Sequence, residues 1–160
     1  MLEVGRVLAP DQPGTWFSWN RAHFGAWCVT SSPLILGLNL SDELLGPILD
    51  IIGNEEATRV NQQWAGHPGG LAPANALNTS AAGVQLWVKA QPASAMAVFL
   101  LNGSPSPLVA ARLDFAAVGL SQYITVRNIW AQSTLGNYKS AITLNVPAWD
   151  SAFLLLTPVS

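Results

Sequence analysis

The run Pro33-Leu34-Ile35-Leu36-Gly37-Leu38 constrains what this chain can fold into more than any other feature. It is continuously apolar over the length of a strand, the pattern of a strand covered on both faces. Asn20 to Val29 precedes it, with Phe24, Trp27 and Cys28 three and four apart on one helical face. Ser41 to Ile52 follows as a second expected helix with Ser41 at its N-cap, and a short helix is expected over Asn54 to Asn61. Helix, buried strand, helix is the grammar of a parallel α/β barrel or a doubly wound sheet. A lone parallel strand cannot cover its own faces or pair its own backbone groups. The first part of the chain therefore reads as the end of a domain whose other strands lie elsewhere.

From about residue 80 the period changes to two. Val84, Leu86 and Val88 alternate with Gln85, Trp87 and Lys89. Ala95 to Leu101 follows, with a turn at Asn102-Gly103, and then Leu108 to Phe115, Tyr123 to Trp130, Tyr138 to Val146 and Ala152 to Thr157. About six strands at this spacing imply an antiparallel sandwich. Between the halves, Gly66-His67-Pro68-Gly69-Gly70-Leu71-Ala72-Pro73 has the composition of a linker. The expected organisation is α/β plus all-β: residues 1–66 as an α/β part, 67–80 as linker, and 81–160 as the sandwich.

Charge and cysteine content narrow the function classes. Of the 160 residues only 10% are charged, and the net charge of −2 supplies no attraction for nucleic acid or an anionic membrane surface. Cys28 is the single cysteine, so no intrachain disulfide or cysteine-based zinc site is possible, and it reads as a small buried apolar residue. The longest apolar runs are far shorter than a membrane span. Met1-Leu2-Glu3-Val4 lacks the basic region and apolar run of a signal peptide, so secretion from this start is not expected, and a longer precursor with its own signal stays open.

Several segments, taken in order, resemble the glycoside hydrolase family 27 α-galactosidases. Met1-Leu2-Glu3-Val4-Gly5 is similar to the tail of the family's Asp-Pro-Asp-Met-Leu-Glu-Val-Gly motif, and Arg21-Ala22-His23-Phe24-Gly25-Ala26-Trp27 to its Arg-Thr-His-Phe-x-x-Trp helix. Ser32 to Gly37 matches its last barrel strand, and Asn54-Glu55-Glu56-Ala57 through Val60-Asn61-Gln62 its Asn-x-Glu-Val-Ile-Ala-Val-Asn-Gln segment. Leu86 to Lys89, Val126 to Trp130 with Leu135-Gly136, and Leu154 to Pro158 resemble parts of its C-terminal β domain. Three departures accompany the match: Arg6 stands where the family has Asn, Asn39 where it has Asp, and the loop Val7 to Trp19 is longer and more aromatic than the family's.

The resemblance implies the last part of a (β/α)8 TIM barrel followed by a C-terminal antiparallel β-sandwich. Met1 would end barrel strand seven, Asn20 to Val29 would be helix seven, and Pro33 to Leu38 strand eight. It implies a complete enzyme that removes terminal α-linked galactose with retention, without metal or organic cofactor, from a family often secreted or sent to lysosome or vacuole; the family's specificities for α-N-acetylgalactosamine or β-L-arabinopyranose stay open. Retention needs two carboxyl groups, about 5–5.5 Å apart. By the resemblance both fall ahead of residue 1, so this chain alone is expected to be inactive and Glu3 peripheral. Met1 is the implied pocket-lining residue, and Trp16, Phe17 and Trp19, in a long loop at the pocket mouth, are the candidate sugar-stacking aromatics. The rival reading is a non-catalytic sandwich module that binds carbohydrate or protein, with a remnant barrel end.

Plainer readings cover the other conspicuous residues. His67 lies in a loop without the lysine and Ser/Thr of a phosphate-binding turn. His23 is a packing histidine rather than a metal ligand. Trp87, Trp130 and Trp149 belong to the sandwich core or rim. Asn39-Leu40-Ser41, Asn78-Thr79-Ser80 and Asn102-Gly103-Ser104 fit the glycosylation sequon.

Overall fold

The structure, a computed structural model, describes residues 1–6, 14–37, 41, 45–120 and 123–159. Helix α1 runs Trp16–Val29, a 3₁₀ turn Gly46–Ile48 leads into the short helix α2 (Leu49–Ile52), and α3 spans Glu55–Gln62. Nine strands follow: β1 Gly70–Leu71, β2 Leu77–Asn78, β3 Val84–Ala90, β4 Met96–Asn102, β5 Leu108–Asp114, β6 Ile124–Asn128, β7 Ser133–Tyr138, β8 Ala141–Val146 and β9 Asp150–Pro158.

They form two antiparallel sheets. One has six strands in the order β1-β3-β4-β9-β6-β7, and the other has three in the order β2-β5-β8. The larger sheet is the middle layer of three. One face packs on the smaller sheet: Val98 and Leu100 of β4 and Leu154 and Leu156 of β9 meet Leu113 of β5 and Ile142 and Leu144 of β8. The other face packs on the helices: Ala97, Phe99 and Phe153 meet Phe24, Cys28 and Val29 of α1 and Val60 of α3. Strands β4 and β9 are therefore covered on both sides, which is why their sequences are almost unbroken apolar runs. Strand β8, covered on one side, alternates buried and exposed positions.

Contact between helix and sheet is closest at Gly25. A Cβ there would run into the Phe99 ring and lie 2.8 Å from Trp130 Cζ2. Helix α3 is tied down at both ends. Asn54 caps it by accepting from the Ala57 N–H at 3.0 Å, while its amide donates at 2.9 Å to the carbonyl of Ile129, in the turn after β6. At the other end Lys89, fully buried, donates to the Val60 and Asn61 carbonyls of the last turn. A buried ammonium at a helix C-terminus satisfies orphan carbonyls and complements the helix dipole.

Five features differ from the sequence expectations. The loop expected up to Trp19 ends earlier, because α1 already begins at Trp16; residues 7–13 lie outside the described ones. The helix expected over Ser41 to Ile52 is, over its described residues, a 3₁₀ turn followed by four α-helical residues. Pro47, which has no N–H to donate, lies in that turn. The run from Pro33 is not a doubly covered strand through Gly37. Only Leu36 pairs, by an isolated parallel bridge to Leu2, and Ile35 is 61% exposed, because no further strand lies beside it among the described residues. Leu38 lies outside the described residues. Within the expected linker 67–80, Gly70–Leu71 and Leu77–Asn78 pair as edge strands β1 and β2, one in each sheet. Strand β7 had no apolar alternation to announce it; Ser133, Thr134 and Leu135 are exposed on the sheet edge.

Candidate functional site

The segment Met1–Arg6 lies between the 33–37 run and α1. Leu2 donates its N–H to the Ile35 carbonyl and accepts from the Gly37 N–H, both at 2.8 Å. On its other side two side chains of α1 accept backbone protons. His23 Nε2 takes the Glu3 N–H at 3.2 Å, and Asn20 Oδ1 takes the Gly5 N–H at 2.6 Å. Leu2 and Val4 turn into the helix-side core, with 1% and 0% exposure, while Met1 is 77% exposed. Met1 Cβ stands 3.2 Å from where a side chain on Gly37 would begin. Arg6 donates to the Gly37 carbonyl at 3.2 Å.

His23 is half-buried, with its ring 5.8 Å from the Trp27 ring. Burial lowers its pKa from 6.5, and the Glu3 carboxylate opposes this. The neutral form with the proton on Nδ1 is the one able to accept from Glu3.

The three candidate aromatics lie on the first turn of α1 and diverge. Trp16 packs against the helix-side core. Trp19 meets Trp149 edge to face, ring centroids 5.4 Å apart, and borders a cleft with Ala22, His23, Ala26 and Leu101. Phe17, 38% exposed, borders a different cleft with Arg21, Leu49, Asp50, Trp130 and Gln132. There the Arg21 guanidinium lies 5.8 Å from the Phe17 ring and 5.6 Å from the Trp130 ring, while its Nη2 chelates Asp150 at 2.7 and 2.8 Å. The sequence suggested one aromatic cluster; the helical turn spreads it over two clefts and the core.

The Phe17–Arg21–Trp130 arrangement escaped sequence reasoning. The only available signal was the i, i+4 spacing of Phe17 and Arg21, which is ordinary in any helix. Trp87 and Trp130 both pack against the helix-side core, and Trp149 reaches Trp19 of α1, so all three lie where helices and sheet meet. Of the three sequons, Asn39 lies outside the described residues and Asn78 is exposed. Asn102 is fully buried, with its amide donating to the Ser106, Val146 and Pro147 carbonyls at 2.9, 3.2 and 2.9 Å, so its Nδ2 is committed to the fold. Among the described residues no group of three or more His, Cys, Asp or Glu is placed to hold a metal ion, and no helix is long and apolar enough to cross a membrane.

Residues 81–156 match the family described as the alpha galactosidase C-terminal beta sandwich domain. An alpha-galactosidase of Coffea arabica is 28% identical over 159 residues, which cover 99% of this chain and 39% of that protein. This chain thus spans well under half of that relative. The solved structure of alpha-galactosidase I from Mortierella vinacea is 27% identical, with a TM-score of 0.74 over 89% of this chain and 36% of that one. A GH27 β-L-arabinopyranosidase from Geobacillus stearothermophilus is 21% identical, with a TM-score of 0.75 over 89% of this chain and 31% of that one, a likeness of fold.

Proposed function

From its place in glycoside hydrolase family 27, to which this chain belongs and whose α-galactosidases it matches over their C-terminal part, we propose that it is the C-terminal part of a retaining α-galactosidase. The complete enzyme hydrolyses terminal α-linked galactose, needs no metal or organic cofactor, and draws both catalytic aspartates from barrel strands ahead of residue 1. Residues up to about 66 are, in this reading, the end of the (β/α)8 barrel, with Met1 at the end of its seventh strand, Leu2 directly after it, and Leu36 on its eighth.

The observation that carries the reading is the parallel bridge between Leu2 and Leu36. Every ladder between the named strands is antiparallel, so this pairing belongs to a different architecture. Around it stand the exposed Met1 and Ile35, apolar side chains on a strand pair that barrel neighbours would cover. Met1 then faces the galactose pocket at the C-terminal end of the barrel.

The test is the 5′ sequence of the native transcript. Continuation of the open reading frame into a barrel with two catalytic aspartates supports the reading. An in-frame stop shortly upstream of the Met1 codon overturns it, and the chain is then a binding module. The cleft of Phe17, Arg21, Asp50, Trp130 and Gln132 favours carbohydrate for that second reading, since aromatic faces beside charged hydrogen-bonding groups suit a sugar ring. Binding of this chain on a glycan array, abolished by Trp130→Ala, would support it; a blank array would count against it.

A further inference from the structure

Backbone N–H groups of successive residues in an extended segment point to opposite sides. Leu2 turns its N–H toward the 33–37 run and Glu3 turns its N–H toward α1. The chain then enters a turn, closed by the Arg6 N–H on the Glu3 carbonyl at 2.9 Å with Gly5 at φ +90°, and there the Gly5 N–H also meets α1. A helix has no free backbone groups along its flank to receive them, so side chains must do so. His23 and Asn20, about one helical turn apart, take these roles. The Asn20 amide is oriented by its own Nδ2, which donates to the Trp16 carbonyl at 2.8 Å and leaves Oδ1 for Gly5. Asn20 is fully buried and its acceptor does not titrate. His23 is different: protonation puts a second N–H at Nε2, facing the Glu3 N–H donor.

We propose that His23 and Asn20 are positioning residues that hold Met1–Gly5 in place as a wall of the galactose pocket, and that His23 does so only as the neutral imidazole protonated on Nδ1. The pocket role rests on the α-galactosidase reading; the clamp itself does not. The charged side chain acting on the ring is the Glu3 carboxylate. Trp19, Ala22, Ala26 and Leu101, which border the same cleft, bring no charge. Acidification therefore frees the Glu3 end of the segment while Asn20 keeps the Gly5 end.

Amide hydrogen exchange read residue by residue by NMR tests this on the chain as it is, between about pH 5 and about pH 8, where histidine titrates. Expressed as a protection factor, Glu3 should lose about fivefold or more as the ring protonates, the factor one hydrogen bond supplies, while Gly5 stays constant. His23→Gln, whose amide oxygen accepts but does not titrate, should keep Glu3 protected at every pH, and His23→Leu should lose it at every pH. Equal Glu3 protection in wild type and His23→Leu would overturn the clamp. If His23→Leu does not fold, the ring nitrogen shifts of the wild type decide: a neutral ring carrying its proton on Nε2 sinks the proposal. A working clamp together with a transcript that lacks the barrel would leave the clamp standing and overturn its pocket role.

Discussion

Arg21 on α1 and Asp150 at the start of β9 are 129 positions apart, and a single guanidinium nitrogen of Arg21 lies 2.8 and 2.7 Å from the two carboxylate oxygens of Asp150. Asp150 also accepts from the Ser151 N–H at 2.7 Å, and its side chain is 6% exposed against 25% for Arg21. This pair joins the helical layer to the last strand of the sheet, at the mouth of the Phe17 and Trp130 cleft. Its shielding sets it apart from Arg112–Asp114, whose side chains are 49% and 37% exposed and which contributes little. A double-mutant cycle with Arg21→Met and Asp150→Asn should return a coupling of about 1–3 kcal/mol in urea unfolding. Additive single losses would show that this pair contributes nothing to the joint between the two layers.

Gly25→Ala should destabilise the protein by about 1–3 kcal/mol, because the added methyl meets the Phe99 and Trp130 rings in a packed interface. In an exposed helix the same change stabilises by about 1 kcal/mol. The sign of the change in the urea midpoint therefore reports directly whether α1 lies on the sheet at this residue.

Lys89→Met keeps most of the side chain's volume and removes both hydrogen bonds to the last turn of α3. The Val60 and Asn61 carbonyls then lose a donor in a buried place, at about 1–3 kcal/mol. Burial already holds the Lys89 pKa below its ordinary value, so the ammonium is retained against a desolvation penalty. Thermal melts should show the loss, and exchange at the α3 amides should rise before global unfolding. An unchanged melting temperature would mean that the carbonyls find other partners.

The Cys28 thiol, fully shielded from solvent, is pushed up to about 12 by burial, with Lys89 pulling the other way. The thiolate is the reactive species, so the folded protein should be inert to a thiol-specific disulfide reagent at mildly alkaline pH. Labelling should begin only as the protein unfolds, at the same denaturant concentration as the tryptophan signal. Rapid labelling under native conditions would show that the helix-side core opens locally.

Stability should also fall on mild acidification through His23. Its folded pKa lies below the unfolded value near 6.5, so between the two the unfolded chain binds more protons. The contribution is fully present above about pH 6.5 and is lost as the pH falls through the folded value. The difference in melting temperature between wild type and His23→Gln should therefore change in the wild type's disfavour below that point. A pH-independent difference would remove His23 from the account.

Much of the sandwich was legible because burial on one or both sides writes itself into side-chain order. The alternation of Val84, Leu86 and Val88 marks β3, and the unbroken run in β4 marks a strand with two covered faces. Strand β7 was not legible, since an edge strand held by backbone pairing leaves no apolar period. Pro33 to Leu38 carried the same unbroken pattern as β4, yet through Gly37 it is covered by little beyond Leu2 and the helix-side core. Apolar order shows that a strand requires cover, not which segment supplies it.

The candidate site divides in the same way. Residue order alone determined the two strand textures, the helical faces, the absence of a disulfide within these 160 residues, and the ordered motifs that mark the α-galactosidase family. Tertiary structure alone decided that the helices share a core with the six-stranded sheet, that Trp16, Phe17 and Trp19 face three different surroundings, and that His23 and Asn20 hold Glu3 and Gly5. Periodicity is a local property, set by 3.6 residues per turn or two per strand repeat, and it can be read along the chain. Partners that meet across 20 or 129 positions are chosen by the packing of whole layers, which no local pattern records.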